Sequence, residues 1–551
     1  MSDFDAAYPV EQLLHWAGQK PEATWLIQPA RGDLLTWTWA RAADEVRRVA
    51  AALQSQGWPR GSRVAIAGLN TAHWMLADLA IQMAGMVPVG LYPRQAGHSV
   101  RWILEHCEAV AVFMGPMPGG DLLSALPDGI FRISLPYVAA PAGDVSWDEL
   151  VAAHAPLASY QRPTPDTLAT LIYTSGTTGN PKGVMLSFGS LAFSSSAFRA
   201  TLPAVAEERL FSYLPLAHLL ERAAVEMASL YWGAEVFFLE RIEKMTEQLP
   251  LAQPTRFAAV PLVLARLQAG YVSRMPEAQL RKLVRRPLIG NLLRRRLVGR
   301  IGLGRVRAML TSGAQVPRTT LEFFRDVLGI EVHECYGQSE ALYCSMNRPG
   351  ASRIGSVGRP FPDANLRLSA EGEIQVRHPG VMMGYYKDPE TTAAAFTADG
   401  WLRTGDKGRF DEDGFLYITG RVKDIFKTAK GRYVAPAPIE GAMAGNPDVD
   451  QLCLVGINLT QPVLLVSLAR EAQGKPRVEV EARLLADMER VNAPLEDHEK
   501  IAKILITQDR WGVENDLLTP TLKVRRGEVE ARYAGIIARE AQRREELVAW
   551  I

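Results

Sequence analysis

One stretch of the chain, residues 173–183, has the composition of a phosphate-binding loop. It reads Tyr-Thr-Ser-Gly-Thr-Thr-Gly-Asn-Pro-Lys-Gly and follows an apolar, strand-like run at 168–172. Its glycines allow the backbone to turn tightly and to approach a ligand closely. Many short hydroxyl and N–H donors, with the single positive charge of Lys182, are what a polyphosphate requires. The stretch is not a Walker A loop, because no Gly-Lys-Ser/Thr sequence closes it.

Each candidate phosphate ligand in this stretch has a hydroxyl group, a freely turning glycine backbone or a positive charge. These ligands are Thr174, Ser175, Gly176, Thr177, Thr178, Gly179 and Lys182. The structural alternative is a polar turn between a strand and a helix. Eleven residues of these types rarely fall in this order by chance, so we favour the phosphate-binding interpretation.

A second stretch, Cys335-Tyr-Gly-Gln-Ser-Glu340, combines an aromatic ring, a hydroxyl group and a carboxylate. The ring of Tyr336 can stack on a base, and the hydroxyl of Ser339 can donate to a phosphate oxygen. Glu340 can bind Mg²⁺, which prefers a carboxylate together with phosphate oxygens. The same stretch only half-resembles the nucleophile elbow of hydrolases, because its last glycine is missing.

The composition is that of a soluble globular protein with more than one domain. A chain of 551 residues is too long for a single hydrophobic core. Charged residues make up 22% and the net charge is +1, so no nucleic-acid partner is expected. The first residues lack an apolar signal core. No run of about eighteen uncharged apolar residues predicts a membrane span.

The four cysteines form no CxxC pair. This argues against a structural zinc site or a disulfide framework and favours a reducing compartment. We therefore expect a cytoplasmic protein.

Residues 281–307 hold ten Lys or Arg and no acidic residue. A solvated basic helical face is the simpler interpretation. The alternative is a surface for anionic lipid headgroups, which would place the protein at the inner face of the membrane, or for the phosphates of a large anionic cofactor.

Helices and strands alternate along residues 1–345, which predicts α/β layers with a largely parallel sheet. Residues 41–56 have helical periodicity, and 63–68 and 109–113 have the pattern of short buried strands. Residues 346–420 carry short strands and an Asp-Gly turn at 413–414, which predicts an antiparallel, barrel-like subdomain. Beyond residue 421 the chain becomes basic and then proline-stiffened. Two apolar strands follow at 451–470, and the end is charged and helical in pattern. We place the domain boundary so that 1–421 and 422–551 are separate domains.

The two stretches at 173–183 and 335–340 resemble signature motifs of the AMP-forming acyl-activating enzymes. This superfamily includes acyl-CoA synthetases, luciferases and peptide-synthetase adenylation domains. The resemblance implies that the ligands at 174–182 bind the nucleotide, as do Tyr336, Gly337, Gln338 and Ser339. It also assigns catalytic roles to Lys182 and to Glu340, the latter as the Mg²⁺ ligand. This chain has Ser339 where threonine is commoner in the family, and the hydroxyl group is retained.

Three further stretches resemble the same family in the expected order. Residues 213–222 resemble the segment that borders the acyl pocket, which implies a substrate-side role for His218; a residue that begins a helix is the alternative. Residues 311–317 resemble the turn beside the adenine and imply that Gly313 and Ala314 contact it. Residues 401–406 resemble the ribose site, where Asp406 can accept bonds from both ribose hydroxyls.

Motifs in the last third of the chain resemble those of the mobile C-terminal domain, in the form typical of long-chain fatty acyl-CoA synthetases. In 420–427, the family correspondence makes Arg421 a ribose or phosphate contact, Lys423 the hinge and Lys427 a residue near the phosphates. The loop at 430–440 is the one that enters the site for thioester formation, with Lys430, Gly431 and Arg432 toward CoA. In 518–526, Lys523 corresponds to the adenylation lysine.

The resemblance, from about residue 30 to 535, implies a large N-terminal domain of two αβ-layered subdomains and a distorted β-barrel, followed by a small α+β domain. It also implies an AMP-forming ligase that uses ATP, Mg²⁺ and CoA on a small carboxylic acid, preferably a medium- to long-chain fatty acid. Transfer to a carrier protein or an amine instead of CoA is the alternative. An inactive nucleotide sensor is disfavoured, since Glu340, Asp406, Arg421 and Lys523 are all present. A luciferase-like oxygenase on the same scaffold stays open, as do acyl chain length and oligomeric state.

Overall fold

The computed structural model describes residues 7–30, 32–117, 122–174, 180–287, 289–519, 521–543 and 546–551. Five of the candidate phosphate ligands lie outside the described residues: Ser175, Gly176, Thr177, Thr178 and Gly179. Thr174 and Lys182, which flank them, end one described strand and begin the next.

Strands and helices alternate through the first 421 residues. The strands are β1 (Thr24–Ala30), β2 (Asp33–Thr38), β3 (Arg63–Ala67), β4 (Val87–Leu91), β5 (Ala109–Met114), β6 (Phe131–Ser134), β7 (Val145–Ser146), β8 (Leu168–Thr174), β9 (Lys182–Ser187), β10 (Arg209–Ser212), β11 (Glu235–Phe238), β12 (Arg256–Ala258), β13 (Ala308–Thr311), β14 (Val332–Gln338), β15 (Leu342–Met346), β16 (Arg359–Pro360), β17 (Asn365–Leu368), β18 (Glu373–Arg377), β19 (Gly384–Tyr385), β20 (Leu402–Phe410) and β21 (Leu416–Arg421). The α-helices are α1 (Pro9–Gln19), α2 (Trp39–Ser55), α3 (Ala72–Met83), α4 (Gly97–His106), α5 (Leu122–Ala125), α6 (Trp147–Ala153), α7 (Phe188–Thr201), α8 (Leu219–Glu221), α9 (Ala228–Trp232), α10 (Met245–Ala252), α11 (Pro261–Val272), α12 (Glu277–Val284), α13 (Gly290–Arg300), α14 (Arg318–Phe323) and α15 (Pro389–Ala395). Two π-helical segments, Arg222–Met227 and Phe324–Leu328, and the 3-10 helix Ile242–Lys244 complete this part.

The largest sheet has eight strands in the order β19-β9-β8-β4-β3-β5-β6-β7. The strands from β8 to β7 are parallel, whereas β9 and β19 are antiparallel to their neighbours. Helix α2 buries the predicted apolar face formed by Ala43, Val46, Val49, Ala50 and Leu53, as an amphipathic helix on a sheet should. The predicted α/β layers of this region are confirmed.

Three more sheets surround the later motifs. Strands β12, β13 and β14 are parallel and continue into antiparallel β15 and β16. A mixed sheet has the order β10-β11-β1-β2. Strands β17, β18, β20 and β21 form an antiparallel sheet, and the predicted turn with Gly414 at φ +79° joins its last two strands. The antiparallel, barrel-like subdomain is therefore confirmed.

Residues beyond 421 form a smaller α+β unit. Its strands are β22 (Phe426–Lys427), β23 (Tyr433–Val434), β24 (Val449–Val455), β25 (Val463–Leu468), β26 (Lys503–Thr507) and β27 (Val548–Trp550), and its helices are α16 (Pro436–Met443), α17 (Arg477–Asn492) and α18 (Arg526–Glu540). Its main sheet has the order β24-β25-β26-β27, with its own apolar cores on the two faces. The predicted fold class holds.

The sequence prediction for the end of the chain is wrong in two places. Residues 503–507 and 548–550, expected within a charged helical region, are the parallel strands β26 and β27. The first is a short apolar run, Lys-Ile-Leu-Ile-Thr, that is buried throughout, and such runs do not distinguish strand from helix by periodicity. The pairing partner that makes it a strand, β25, lies about forty residues earlier in the chain.

Candidate active site

Lys182 lies at the start of β9, opposite Thr174 at the end of β8 in an antiparallel pair. A strand and not a helix therefore follows the predicted phosphate loop. An anion held beside Lys182 would therefore meet a lysine charge and not the dipole of a helix. The Lys182 ammonium lies 3.5 Å from the hydroxyl of Thr391 and 5.4 Å from the ring centroid of Tyr385. These contacts orient the ammonium without neutralising its charge.

A tight turn between β14 and β15 carries the second predicted group of ligands. Gln338 pairs with Leu342, and Ser339 and Glu340 lie between them. Gly337 must be a glycine, because a Cβ there would collide with the carbonyl oxygen of Leu342. Leu342 itself has a φ of +49°, which is rare for a branched residue. The turn places the Glu340 carboxylate at the end of the sheet.

Two contacts hold Glu340 in place. Its carbonyl oxygen accepts a 2.8 Å bond from the N–H of Met382. Its Oε1 accepts a 2.9 Å bond from the hydroxyl of Tyr385. One carboxylate oxygen is thus fixed by a neutral donor, which leaves the carboxylate charge available to a cation.

Asp406 contacts Tyr336 and Arg421, and all three residues were predicted from separate motifs. It lies on β20 opposite Arg421 on β21. The Tyr336 hydroxyl donates to Oδ2 at 2.8 Å, and Arg421 Nε donates to Oδ1 at 3.0 Å. Burial, and then the Asp406 charge, raise the pKa of Tyr336 far above its usual value. The hydroxyl therefore remains a donor at any physiological pH, and both carboxylate oxygens have fixed directions.

Lys523 lies on a short loop that closes through a bridge between Leu518 and Val524. Thr519 fastens the loop, since its N–H donates to the Lys523 carbonyl at 2.8 Å and its hydroxyl accepts from the Lys523 N–H at 3.1 Å. Lys523 belongs to the C-terminal unit. Its ammonium nevertheless comes within electrostatic range of residues of the N-terminal part.

Those surroundings change the titration of Lys523. Crowding by protein around the ammonium, and then the Arg421 charge, lower its pKa, while the Asp406 and Glu340 charges oppose the shift. The side chain itself remains exposed. We call the solvent-open space around Lys523 that Arg421, Asp406 and Glu340 border the cleft. The cleft therefore presents two cations and two carboxylates to a ligand. We call Lys182, Tyr336, Glu340, Asp406, Arg421 and Lys523 the candidate site.

His218 caps the start of α8, which agrees with the alternative that it is a residue that begins a helix. Its Nδ1 accepts a 3.1 Å bond from the Leu220 N–H, and its ring lies 6.3 Å from the ring of Tyr92. Burial, and then the charge of Lys523, lower the pKa of His218 to about 4, so the imidazole is neutral at physiological pH. The Lys523 effect shows that His218 lies toward the cleft. Its substrate-side role stays a prediction.

The predicted adenine turn follows β13. Gly313 has a φ of +92° and open space where a side chain would begin, and Ala314 is exposed. A Cβ on Gly441, in α16, would lie 3.5 Å from Gln315 Oε1. The turn therefore lies beside the C-terminal unit, with its backbone accessible, as contact with a flat base would require.

The predicted hinge and CoA loop lie at the start of the C-terminal unit, between β21 and α16. Lys423 is exposed in the turn after β21. Lys427, on β22, has its ammonium 5.6 Å from the ring centroid of Tyr433 on β23. Between these strands lie Lys430, Gly431 and Arg432, and the two basic residues line a groove of about 1800 Å³ within the C-terminal unit.

Sequence reasoning missed two sets of contacts at the site. Tyr385, which contacts both Lys182 and Glu340, is invisible to motif spacing because it arrives through the pairing of β19 with β9. Arg526 forms a double contact with Glu440 at 2.8 and 2.9 Å. This pair joins the loop that carries Lys523 to the helix that follows the CoA loop. The only sequence feature that could have drawn attention to Tyr385 is its position directly after Gly384.

A metal ion at this site would not have a cage of protein ligands. Among the residues that the structure describes, no group of three or more His, Cys, Asp or Glu side chains could hold a metal. Mg²⁺ characteristically binds one or two carboxylates together with substrate phosphates. Glu340, fixed through one oxygen beside the phosphate-loop lysine, fits that donor set.

Comparison with known proteins identifies the family to which the chain belongs. The family model described as AMP-binding enzyme matches residues 13–386, and the one described as AMP-binding enzyme C-terminal domain matches residues 423–545. The long-chain-fatty-acid–CoA ligase FadD15 of Mycobacterium bovis is 30% identical over 554 residues, covering 91% of each chain. Long-chain-fatty-acid–CoA ligase 1 of Homo sapiens is 31% identical over 537 residues, covering 85% of this chain and 76% of its own.

Solved structures share the whole fold. The adenylation domain of a carboxylate reductase from Mycobacterium chelonae has a TM-score of 0.81 at 21% identity, covering 98% of this chain and 92% of that one. The o-succinylbenzoate CoA synthetase of Bacillus subtilis, in complex with an acyl-adenylate intermediate, has a TM-score of 0.73 at 23% identity, covering 94% and 97%. At these identities the likeness establishes the fold.

Proposed function

Because the chain belongs to the AMP-binding enzyme family, we propose that it is an ATP-dependent fatty acyl-CoA synthetase, an AMP-forming acid–thiol ligase. Its substrate is a medium- to long-chain fatty acid. The observation that carries the proposal is the hydrogen-bonded group of Tyr336, Asp406 and Arg421. Lys523 and Glu340 lie within electrostatic range of each other beside this group. The names of the relatives, which are long-chain fatty acid ligases, support the substrate class.

The first half-reaction forms an acyl-adenylate. A carboxylate oxygen of the fatty acid attacks the α-phosphorus of ATP, a new P–O bond forms, and pyrophosphate leaves. Two anions must meet, so catalysis depends on screening and positioning charge. Lys182 and the 174–179 loop would hold the β- and γ-phosphates, and Lys523 would approach the reacting oxygens. Each well-aimed donor of this kind contributes about 3–4 kcal/mol to lowering the barrier.

The nucleoside would be held by the hydrogen-bonded group around Asp406. Asp406, with its oxygens oriented by Tyr336 and Arg421, would accept bonds from the ribose hydroxyls. The exposed backbone at Gly313 and Ala314 would lie against the adenine, near the Tyr336 ring. Mg²⁺, when bound through Glu340, supplies positive charge that the phosphate oxygens share.

The second half-reaction forms the thioester. The thiol of CoA attacks the acyl carbon, its proton is lost, and AMP departs with the oxygen that came from the fatty acid. CoA needs the space that Lys523 occupies. We propose that the unit from residue 422 onward rotates about Lys423 and brings Lys430, Gly431 and Arg432 to the site. The boundary is supported by the gap between the two family matches, which ends at residue 423.

An assay with a panel of carboxylic acids, called the acid panel below, tests the proposed function. Pyrophosphate release from ATP would be measured with acids from acetate to long-chain fatty acids, with benzoate and amino acids as controls, and with or without CoA. The proposal predicts release that rises with aliphatic chain length and is sustained only with CoA. Turnover sustained by a carrier protein or an amine in place of CoA would support the alternative acceptor. No release with any acid would contradict the enzyme assignment.

We also propose that α12 and α13 contact an anionic membrane surface. The exposed cations of this hairpin are Lys282, Arg285, Arg286, Arg295, Arg296, Arg300 and Arg307. Between them, Ile289 and Leu292 are 50% and 54% exposed. Cations flanking exposed apolar side chains are the composition of an interfacial helix. No helix among the described residues is long and apolar enough to cross a membrane.

Vesicle flotation tests the membrane proposal. The protein should float with vesicles containing an anionic phospholipid, and binding should weaken with salt because exposed charges are screened. It should bind vesicles of a neutral phospholipid much less. Reversal of Arg285, Arg286, Arg295 and Arg296 to glutamate should abolish flotation. Equal flotation of the native and reversed proteins, or none by either, would refute the contact.

A further inference from the structure

We infer that Tyr385 is a positioning residue of the adenylation step, which holds the Glu340 carboxylate and the Lys182 ammonium in one fixed relation. The inference rests on the proposed function, since it assigns Tyr385 to the binding of metal and phosphate at that same site. Tyr385 lies outside every stretch that the sequence motifs single out. Its contacts alone bring it into the site.

The hydroxyl group of Tyr385 determines where the Glu340 carboxylate points. It donates to Oε1 at 2.9 Å, and a hydrogen bond to an ionised acceptor is short and directional. A phenol is ordinarily protonated below about pH 10, so the hydroxyl acts as a donor to Glu340. With Oε1 engaged in this way, the rotation of the carboxylate is restricted and Oε2 is left to bind a metal ion.

The ring of Tyr385 contacts the second partner. The Lys182 ammonium lies 5.4 Å from the ring centroid, within the distance at which a ring face attracts a cation. One side chain thus contacts the predicted metal ligand through its oxygen and the predicted phosphate lysine through its face. Lys182 begins β9 and Glu340 follows β14, and these two strands are not neighbours in any sheet.

Tyr385 can position these groups because its own backbone is fixed. It pairs with Val184 across β19 and β9, so it is tied to the strand that Lys182 begins. Its N–H donates to the Thr392 hydroxyl at 2.8 Å. The next residue, Tyr386, donates its N–H to the Gly183 carbonyl at 2.8 Å. Any movement of the phosphate strand would therefore carry Tyr385, and with it Glu340.

Two substitutions of Tyr385 separate the contribution of its hydroxyl group from that of its ring. Tyr385→Phe removes the bond to Glu340 and keeps the ring beside Lys182, whereas Tyr385→Leu removes both. Tyr386→Phe is the matched control, because its ring lies 5.7 Å from His106 and 5.9 Å from the Arg63 guanidinium, on contacts separate from Glu340. The metal affinity is measured by electron paramagnetic resonance with Mn²⁺ in place of Mg²⁺, in the presence of a non-hydrolysable ATP analogue.

Tyr385→Phe should weaken Mn²⁺ binding about tenfold, since a hydrogen bond to a charged group is lost, while Tyr386→Phe should bind as the native protein does. Tyr385→Leu should in addition weaken binding of the ATP analogue measured without metal. All three proteins should convert supplied acyl-adenylate and CoA to thioester at the native rate. Native Mn²⁺ affinity in Tyr385→Phe, or an equal loss in Tyr386→Phe, would overturn the inference.

The Mn²⁺-binding measurement also distinguishes this inference from the proposed function. It needs a nucleotide and a metal ion but no fatty acid or CoA. A negative acid panel with a Tyr385-dependent Mn²⁺ affinity would refute the substrate assignment and support the positioning role. A productive acid panel with unchanged Mn²⁺ affinity would do the reverse.

Discussion

Replacing Lys523 by alanine should separate the two half-reactions. The ammonium lies in the cleft among Arg421, Asp406 and Glu340 and remains exposed there, so its removal leaves space that water can fill and little packing is lost. A positioned charge of this kind contributes about 3–4 kcal/mol to a transition state. At about 1.4 kcal/mol per factor of ten, adenylate formation should fall roughly 140- to 700-fold. Lys182 and Arg421 remain, so the loss should not be complete.

The assay follows each half-reaction by itself. ATP–pyrophosphate exchange with a fatty acid reports adenylation, and thioester formation from supplied acyl-adenylate and CoA reports the second step. Lys500→Ala is the control, because Lys500 pairs with Asp497 at 2.6 Å on the surface and such pairs contribute little. Exchange should collapse in Lys523→Ala while the thioester step stays near the native rate. Equal losses in both steps, with an unchanged melting temperature, would refute the assignment.

Three further substitutions test the surroundings of the site. Tyr336→Phe removes a bond to the Asp406 carboxylate and should raise the KM for ATP about tenfold; an unchanged KM would contradict the ribose role of Asp406. Glu221 is buried, which raises its pKa to about 8. The stability that its neutral form provides is therefore complete below its ordinary pKa near 4.5 and is lost as the pH rises to about 8. The melting temperature of the native protein should fall more steeply between pH 5 and 8 than that of Glu221→Gln, whereas parallel curves would contradict the raised pKa. Arg526→Met leaves the partly buried Glu440 carboxylate without its partner and should destabilise the C-terminal unit by about 2–3 kcal/mol in denaturant unfolding. The double variant that also carries Glu440→Gln should recover part of this loss; no loss in the single variant would mean that the pair is not structural.

Local spacing predicted the elements that carry the motifs. Residues 41–56 and 63–68 became α2 and β3 within two residues at each end, since their patterns depend only on which side faces the core. The meeting of Tyr336, Asp406 and Arg421 was implied by resemblance alone, because three separate motifs had to converge. Spacing could not show that the Tyr336 hydroxyl bonds to Asp406.

Contacts that depend on pairing between strands far apart in the chain could not be predicted from the sequence. Tyr385 reaches the site only because β19 adds to the edge of β9, about two hundred residues earlier. Strand β26 is a strand because β25 and β27 flank it. The position of Lys523 in the cleft, with Lys430 and Arg432 on a separate groove, depends on how two folded units pack. Tertiary contacts of this kind override local preference.

The most direct test of the account follows the oxygen atoms of the fatty acid. A long-chain acid labelled with ¹⁸O in both carboxyl oxygens would be converted with ATP and CoA, and the products analysed by mass spectrometry. Attack of the carboxylate on the α-phosphorus predicts one ¹⁸O in AMP and one in the acyl-CoA carbonyl. Label in inorganic phosphate or pyrophosphate, with unlabelled AMP, would contradict the acyl-adenylate and with it the proposed role of the cleft.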